Sequence, residues 1–528
     1  MLEPNQNSYD LVPYDSRAFN ESHPNRLATT ATLAGRRPPL VTRARVLELG
    51  CASGGNIIPM ALSLPGSHFV GIDFSLRQIE QGQRRIETLG LKNIELKHLN
   101  ILDVSREFGP FDYIIAHGVF SWVPIEVQEK IFDVCAQNLD PNGVVYISYN
   151  TYPGWHMRGM IRDMMLYHAR QYTDPQVRVK QARNLLDFLA QSVKQEGLYG
   201  SFLKSEVEEI RQCIDSYLFH EHLEDVNIPV YFHQFAERAA AKGLQYLGEV
   251  DFRGMSVDHY PPEVRSVLQV LSPDTVHLQQ YMDFLRNQMF RRSLLCHKGS
   301  PIDYRLRPEL LASLWVAAPG RPVSENPDII STNPEQFTDQ KGLVLTTSEP
   351  VVKAALMHLA QTWPKAVPFE KLTAIARATL NSRTTPEPIV VAQDARILGE
   401  AILACYAGGA TTLIELHAYD QPFIMEVSER PVASPLARLQ ATEGACVTTL
   451  RHEETVLESF DRHLLPALDG SRDRTALLAM ATGLAVSSEF TVREGGQPVQ
   501  DPKRISDLAG TILDKHLIQL ARNALLVG

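Results

Sequence analysis

What these 528 residues lack narrows the reading before any motif is considered. The six cysteines, Cys51, Cys135, Cys213, Cys296, Cys405 and Cys446, stand far apart with no C-x-x-C. Neither a disulfide framework nor a zinc knuckle fits that spacing, and a reducing compartment is the simplest expectation. No run of about 18 apolar residues occurs, which excludes a membrane-spanning helix. The opening MLEPNQNSYDLVPYDS has no basic stretch leading into an apolar one, so export by a conventional signal is not expected and a cytoplasmic location is. Positive charge is in deficit, with 51 Lys+Arg against 61 Asp+Glu. A surface of that balance does not draw in a polyanion, so nucleic acid is not an expected partner. His220 and His222 flank Glu221 only two apart, which on a helix points them to different sides, and H-E-x-x-H is absent; no metal is expected.

The rest is globular composition, 44% hydrophobic, in a chain too long for one core. Between Arg45 and Asn150 apolar strands alternate with helix-length segments. RVLEL, HFVGID, IELKHL, FDYIIAHG and VVYISYN read as strands, and NIIPMALSL, LRQIEQGQRRIETLG and IEVQEKIFDVCAQNL as helices, with Asn142-Gly143 as the turn into the fifth strand. Crossovers of that length give a parallel sheet covered on both faces. Helices are then expected over 157–170, 179–195 and 204–219, the last capped by Ser205 with Glu208 three residues on. A helix over 231–242, the strand QYLGEV, a helical stretch over 264–290 and the strand RRSLLCH follow. The two late strands are expected to complete the sheet as its antiparallel edge. A segment rich in Pro, Ser, Asn and Gly over 319–350 reads as a linker or irregular entry. Beyond it, helices over 350–362, 370–379 and 392–406 before the strand TLIELHA suggest a winged-helix arrangement, with a weaker second copy towards the C-terminus. The expected division is 1–160 for the sheet, 161–230 for a helical insertion, 231–300 for the completion of the sheet, 301–425 for a middle unit and 426–528 for a C-terminal unit.

The segment Glu48-Leu49-Gly50-Cys51-Ala52-Ser53-Gly54-Gly55-Asn56 lies between an apolar strand and a helix, where a tight glycine turn lets backbone approach a ligand. A dinucleotide fingerprint would want glycine where Ala52 stands. The carboxylate of Glu48 would also repel a pyrophosphate while accepting a cationic amino acid group. Asp73 ends the second strand 23 residues after Gly50, where a carboxylate can accept ribose hydroxyls, and Asp103 after the third strand suits the exocyclic amine of an adenine.

These segments, with IDFS, NILD and FDYIIAHG, resemble the E-x-G-x-G-x-G and later motifs of class I S-adenosylmethionine-dependent methyltransferases; Ala52 for the middle glycine is the departure. The resemblance implies a doubly wound seven-stranded α/β sheet with helical insertions, followed by two smaller winged-helix-like α+β domains. It also implies S-adenosylmethionine as cofactor, lined by Tyr9, Tyr14, Glu48, Gly50, Cys51, Ala52, Gly54, Asn56, Asp73, Phe74, Gln78, Asn100, Ile101, Leu102, Asp103, His117 and Gly118. The runs Ala116-His117-Gly118-Val119-Phe120-Ser121-Trp122-Val123-Pro124 and Tyr149-Asn150-Thr151-Tyr152-Pro153-Gly154-Trp155, with Ser8-Tyr9-Asp10, Pro13-Tyr14, Ser22-His23-Pro24 and the region from His220-Glu221-His222-Leu223 to Leu247-Gly248-Glu249, are similar to bacterial methyltransferases carrying the methyltransferase regulatory domain. That group is similar to rickettsial enzymes that methylate lysines of outer membrane proteins.

Methyl transfer from a sulfonium is an in-line displacement that requires alignment and exclusion of water. A lysine acceptor must also arrive as the neutral amine, from a reference pKa of about 10.4. Candidates therefore come from the carboxyl ends of the fourth and fifth strands and from the N-terminal segment: Tyr14, His117, Trp122, Tyr149, Asn150, Tyr152 and Trp155. Three functions stand open: methylation of lysines in a protein or peptide, methylation of a small molecule, and S-adenosylmethionine binding by a non-catalytic regulator. For a DNA-reading regulator the middle unit offers Lys365, Lys371, Arg377 and Arg383, but its third helix carries only Arg396 against Asp394 and Glu400. The helical insertion is expected to pair two copies.

Overall fold

The computed structural model describes residues 12, 14, 16–194, 196–380, 388–408, 413–486, 493–494, 497–499 and 501–528. β1 (Arg45–Leu49) is buried along four consecutive residues, as expected of a strand covered on both faces. It lies between β2 (His68–Asp73) and β4 (Phe111–Ala116), with β3 (Ile94–His98) outside β2 and β5 (Leu139–Tyr152) outside β4. β7 (Leu244–Glu249) and β8 (Phe290–His297) complete the order β3-β2-β1-β4-β5-β8-β7. All pairings among β1 to β5 are parallel, and β8 runs antiparallel to both β5 and β7. This is a mixed class I methyltransferase sheet. The antiparallel strand is therefore second from the edge, because β8 inserts between β5 and β7. A two-residue strand β6 (Val230–Tyr231) adds to the end of β5.

The sequence of strands reverses between β1 and β4, which opens a crevice at their carboxyl ends. The helix Leu76–Leu89 that follows β2 starts on Ser75, whose Oγ accepts from the Gln78 amide, and stops at Gly90 with φ 66°. Asn142-Gly143 is not the turn before the fifth strand. β5 already pairs at Leu139, and its register against β4 shifts between Phe111 and Tyr113, so the dipeptide lies within an irregular strand.

The first insertion is built of helices Trp155–Ala169, Pro175–Ser192, Leu198–Gln212 and Asp215–His222 around Ile161, Met165, Val179, Leu186, Leu203, Val207 and Leu218. Ser205 does not cap a helix. The buried stripe Gly200, Leu203, Val207, Ile210 begins earlier, the helix starts after Gly197, and it breaks at Cys213 and Ile214, whose backbones are extended. Tyr167, Phe188 and Leu198 are exposed on these helices, and Ile214 at the break between two of them. The second insertion is likewise two helices, Pro262–Leu271 and Thr275–Arg286, broken by Ser272 in an extended conformation.

The segment 319–350 is ordered and carries a small antiparallel sheet, Arg321–Pro322, Glu335–Thr338 and Val344–Thr347. Lys353, fully buried, staples its loop by donating to the carbonyls of Asp328, Ser331 and Asn333 at 2.7, 2.6 and 2.9 Å. Helices Pro350–Thr362, Phe369–Leu380 and Pro388–Ala407 pack around the strands Trp315–Ala317, Val367–Pro368 and Glu415–His417. That core includes Leu33, which ends the helix Pro24–Leu33, and Phe252, which follows β7, so the middle unit is packed against elements that flank the sheet. The C-terminal helices Pro435–Glu443, Ser459–Leu464, Arg474–Val486 and Pro502–Arg522 share a separate core. Among the described residues no helix is long and apolar enough to cross a membrane.

Candidate active site

A cleft of about 890 Å³ opens at the carboxyl ends of β1, β2, β4 and β5. Its floor is the turn after β1. Gly50 (φ 74°) admits no Cβ, because one would meet Val119 Cγ2 at 2.4 Å. Ala52 also has positive φ, 49°, a conformation that costs a residue with a Cβ about 1 kcal/mol. Its amide donates to Asp73 Oδ2 at 2.8 Å, which holds the turn against the second strand. Asp73 Oδ1 accepts from the Ser75 amide at 2.8 Å, so the carboxylate is fixed by two backbone donors.

Glu48 projects into the cleft from the buried end of β1. Its Oε1 accepts from Asn56 Nδ2 at 2.6 Å, while Oε2 is buried with no partner among the described residues. Burial pushes this carboxyl up to about 7, against the pull of Asn56 and with a further push from Asp73. Gln78 Oε1 and Asn150 Nδ2, also on the lining, are likewise buried without partners among the described residues. Three orphaned polar atoms around one crevice are the mark of a site built for a polar ligand, and the unpaired Glu48 oxygen suits a cationic amine.

The N-terminal segment crosses over this floor. Ser16 Oγ accepts from the Gly55 amide at 2.8 Å, and the Phe19 amide donates to Asn56 Oδ1 at 2.9 Å. Gly55 is glycine because a Cβ there would meet the Ser16 carbonyl oxygen at 2.1 Å. Phe19 stacks on His117 with ring centroids 3.8 Å apart. His117 Nδ1 is hydrogen-bonded to the Tyr146 hydroxyl at 2.7 Å, and burial, with Arg292 and Arg17 nearby, pushes the imidazole down to about 3. It is neutral, stacked and bonded, an arrangement suited to walling the cleft and not to accepting a proton near neutrality.

The other arm of the cleft is lined by Tyr14, Trp122, Trp155, Arg158, Tyr217, His220, Glu221 and Phe290. Trp122 and Trp155 meet edge to face at 6.4 Å, and Tyr14 lies edge-on to His220 at 5.8 Å. His220 is tied to Glu224 and to the Val12 carbonyl, at 2.8 and 2.7 Å. Arg158 is drawn away to Glu206 and Glu209, at 3.3 and 2.7 Å. Burial, opposed by Arg158 and Arg162, raises the Glu221 carboxyl to about 7.

Of the residues read from sequence, the cleft gathers Tyr14, Glu48, Gly50, Cys51, Ala52, Asn56, Asp73, Phe74, Gln78, Asn100, Ile101, His117, Gly118, Trp122, Asn150 and Trp155. Others lie elsewhere. Gly54 packs the turn beneath, where a Cβ would meet Ile58 and Leu96, and Leu102 and Asp103 are exposed beyond the lining. Tyr149 is buried on the opposite face of β5, stacked on Phe235 at 4.1 Å with its hydroxyl bonded to Ser293 Oγ at 3.0 Å, because successive strand residues alternate faces. Tyr152 stacks on His156 and meets the Tyr231 ring at a tilt, outside the lining. Tyr9 lies outside the described residues. Sequence reasoning missed Phe19, Tyr217 and Glu221, which only the insertion and the N-terminal crossing bring in, and His452, which comes from the C-terminal unit. In the middle unit Lys365 is paired with Asp420 and Arg377 with Asp394, so these two bases are committed inside the protein; Arg383 lies outside the described residues.

Comparison with known proteins agrees with this fold. Residues 47–145 match a methyltransferase domain, 214–297 a predicted methyltransferase regulatory domain, and 429–525 the C-terminal winged helix domain of PKMT. An uncharacterized protein of Rickettsia prowazekii is 36% identical over 99% of this chain and 94% of its own length. The structure of PKMT2 from Rickettsia typhi, solved in complex with AdoHcy, is 31% identical and superposes with a TM-score of 0.86 over 98% of this chain and 100% of that one.

Proposed function

The chain belongs to the PKMT family of S-adenosylmethionine-dependent methyltransferases, and on that premise we propose that its acceptor is a lysine side chain of a polypeptide. The observation that carries the reading is the second arm of the cleft, where the carboxyl of Glu221, raised by burial against the pull of Arg158 and Arg162, shares the lining with Tyr14, Trp122, Trp155 and Tyr217.

When bound, the cofactor supplies an electrophilic methyl group on its sulfonium. On the protein's side, Glu48 with its free oxygen receives the cationic amino group of the cofactor, and Asp73, braced by two amides, accepts from the ribose. Phe19 and His117 close over the reacting region and keep water out. The aromatic walls desolvate an entering ammonium and so disfavour its charged form. Glu221 attracts that ammonium and, raised towards neutrality, accepts its proton as the amine aligns. Asn150, whose side-chain Nδ2 has no partner among the described residues, offers a hydrogen-bond donor on the same lining. The added units present far more surface than a metabolite requires, as suits a polypeptide.

The test is transfer of isotopically labelled methyl from S-adenosylmethionine into a size-fractionated extract that includes denatured envelope proteins, with mass localisation of the label. Label on lysine residues of a polypeptide is expected. Label confined to the low-molecular-weight fraction would overturn the lysine assignment and leave the methyltransferase in place.

A further inference from the structure

The cofactor turn is not completed by the methyltransferase sheet alone. Asn56 sits at the head of the helix Ile57–Ser63, and its amide orientation is determined by chemistry: the Phe19 backbone amide can only donate, so the atom it meets at 2.9 Å is Oδ1. Nδ2 therefore faces Glu48 Oε1 at 2.6 Å and Ser22 Oγ at 2.9 Å. A second donor reaches Oδ1 from almost 400 residues away, His452 Nε2 at 2.8 Å.

His452 must then carry its proton on Nε2. The rest of the imidazole agrees: Nδ1 is buried without a partner among the described residues, and burial pushes the ring down to about 3, so it is neutral and a single-proton donor. Its backbone has φ 61°, an uncommon conformation for a residue with a side chain, held between Thr449, whose carbonyl accepts the His452 amide at 3.0 Å, and the ring of His23 at 5.0 Å. Neighbouring contacts tie the same loop down. Asn20 Nδ2 donates to the Arg451 carbonyl at 2.8 Å, and Arg17 pairs with Glu454 at 3.5 Å. Glu453 and Glu454 join His452 on the lining of the cleft.

We propose that the C-terminal winged-helix unit is a working part of the cofactor site, with His452 a positioning residue that holds Asn56 and, through it, aims Glu48 at the cofactor's amino group. Without that donor Asn56 keeps the Phe19 amide, Ser22 and Glu48 but loses the shortest bond to its Oδ1, so the amide that aims Glu48 is held less tightly. This assigns the C-terminal unit a role in cofactor recognition that is separate from the identity of the acceptor.

The experiment measures AdoHcy affinity of the full-length protein by calorimetry, together with the thermal midpoint of the unliganded protein, for wild type, His452→Ala, His452→Gln, Asn56→Ala and the double variant. His452→Ala is expected to weaken AdoHcy binding about five- to tenfold, the scale of one well-placed hydrogen bond. His452→Gln, which keeps a donor of similar reach, is expected to restore most of it. In the Asn56→Ala background removal of His452 is expected to cost nothing further. Unchanged affinity in His452→Ala overturns the proposal. So does a loss that adds to that of Asn56→Ala, or one that glutamine fails to rescue. Failure of the wild type to bind AdoHcy would instead sink the cofactor assignment itself.

Discussion

At the scale of single residues, the buried carboxylate of Glu48 is held at a cost that the ligand is built to relieve. Its folded value of about 7 lies above the ordinary value of 4.5, so the unliganded native state binds the proton more tightly than the unfolded chain does. The corresponding stability is full below about 4.5 and is lost as pH rises through about 7. Glu48→Gln removes this loss: above pH 8 the unliganded variant is expected to be more stable than wild type, by at most about 3 kcal/mol at about 1.4 kcal/mol per unit. Its AdoHcy affinity is expected to fall, and the rise in wild-type affinity through neutral pH to disappear. Denaturant titration and calorimetry at pH 6 and pH 8 check both signs, and a variant less stable than wild type at pH 8 would contradict the argument. Tyr149 and Asn150 show how fine residue-scale reading must be. Both types suit an acceptor site, but one step along a strand turns the first into core and the second into the cleft.

At the scale of elements, the cofactor turn and the N-terminal segment are two halves of one device. The turn was legible because its glycines, its flanking strand and its following helix all lie between Arg45 and Ser63. The segment over it was legible only as a set of aromatics, since nothing local says that Ser16 must cross Gly55. The close approach gives a direct test. Gly55→Ala places a methyl group where the Ser16 carbonyl oxygen lies 2.1 Å away, so the segment must lift. The variant is expected to keep the melting behaviour of the sheet, to be cleaved faster by protease near residues 16–19, and to bind AdoHcy at least tenfold more weakly, about 1.4 kcal/mol. Proteolysis indistinguishable from wild type would remove the segment from the site. The helical insertion was mis-segmented for a related reason: Ser205 with Glu208 fits a capping pattern, but the apolar stripe that decides where the helix packs begins before it.

At the scale of the molecule, the middle and C-terminal units meet through Arg451. Its guanidinium, 7% exposed, holds Glu415 at 2.9 Å and Glu453 at 3.1 Å and lies over the Trp363 ring at 4.8 Å. Burial alone would raise the Glu415 carboxyl, but Arg451 and His417 hold it far below the ordinary 4.5. A depressed carboxylate contributes stability above the unfolded value and loses it as pH falls through the folded one. Arg451→Ala leaves Glu415 buried without its cation, at a cost of about 3–5 kcal/mol. The variant is expected to melt at lower temperature at pH 7 and to narrow its gap from wild type as pH drops below 4.5, which a series of thermal melts reads directly. A gap that widens in acid would refute the pairing. The next residue, His452, bonds Asn56 of the cofactor turn, so the variant also reports on how firmly this loop of the C-terminal unit is seated.

Taken alone, the amino-acid sequence determined the strand-helix alternation, the glycine turn with Glu48 and Asp73, and the kind of cofactor that turn accepts. Those signals are local: a few adjacent residues dictate backbone conformation and ligand approach. Tertiary structure alone decided which candidates share a cleft. The face presented by each residue of β5, the crossing of the N-terminal segment, the arrival of Glu221 on an inserted helix and of His452 from the far end of the chain all depend on packing between elements distant in sequence. Burial does the rest. Glu48, Glu221, His117 and His452 carry ordinary side chains, and their charge states follow from how much water the assembled fold leaves around them.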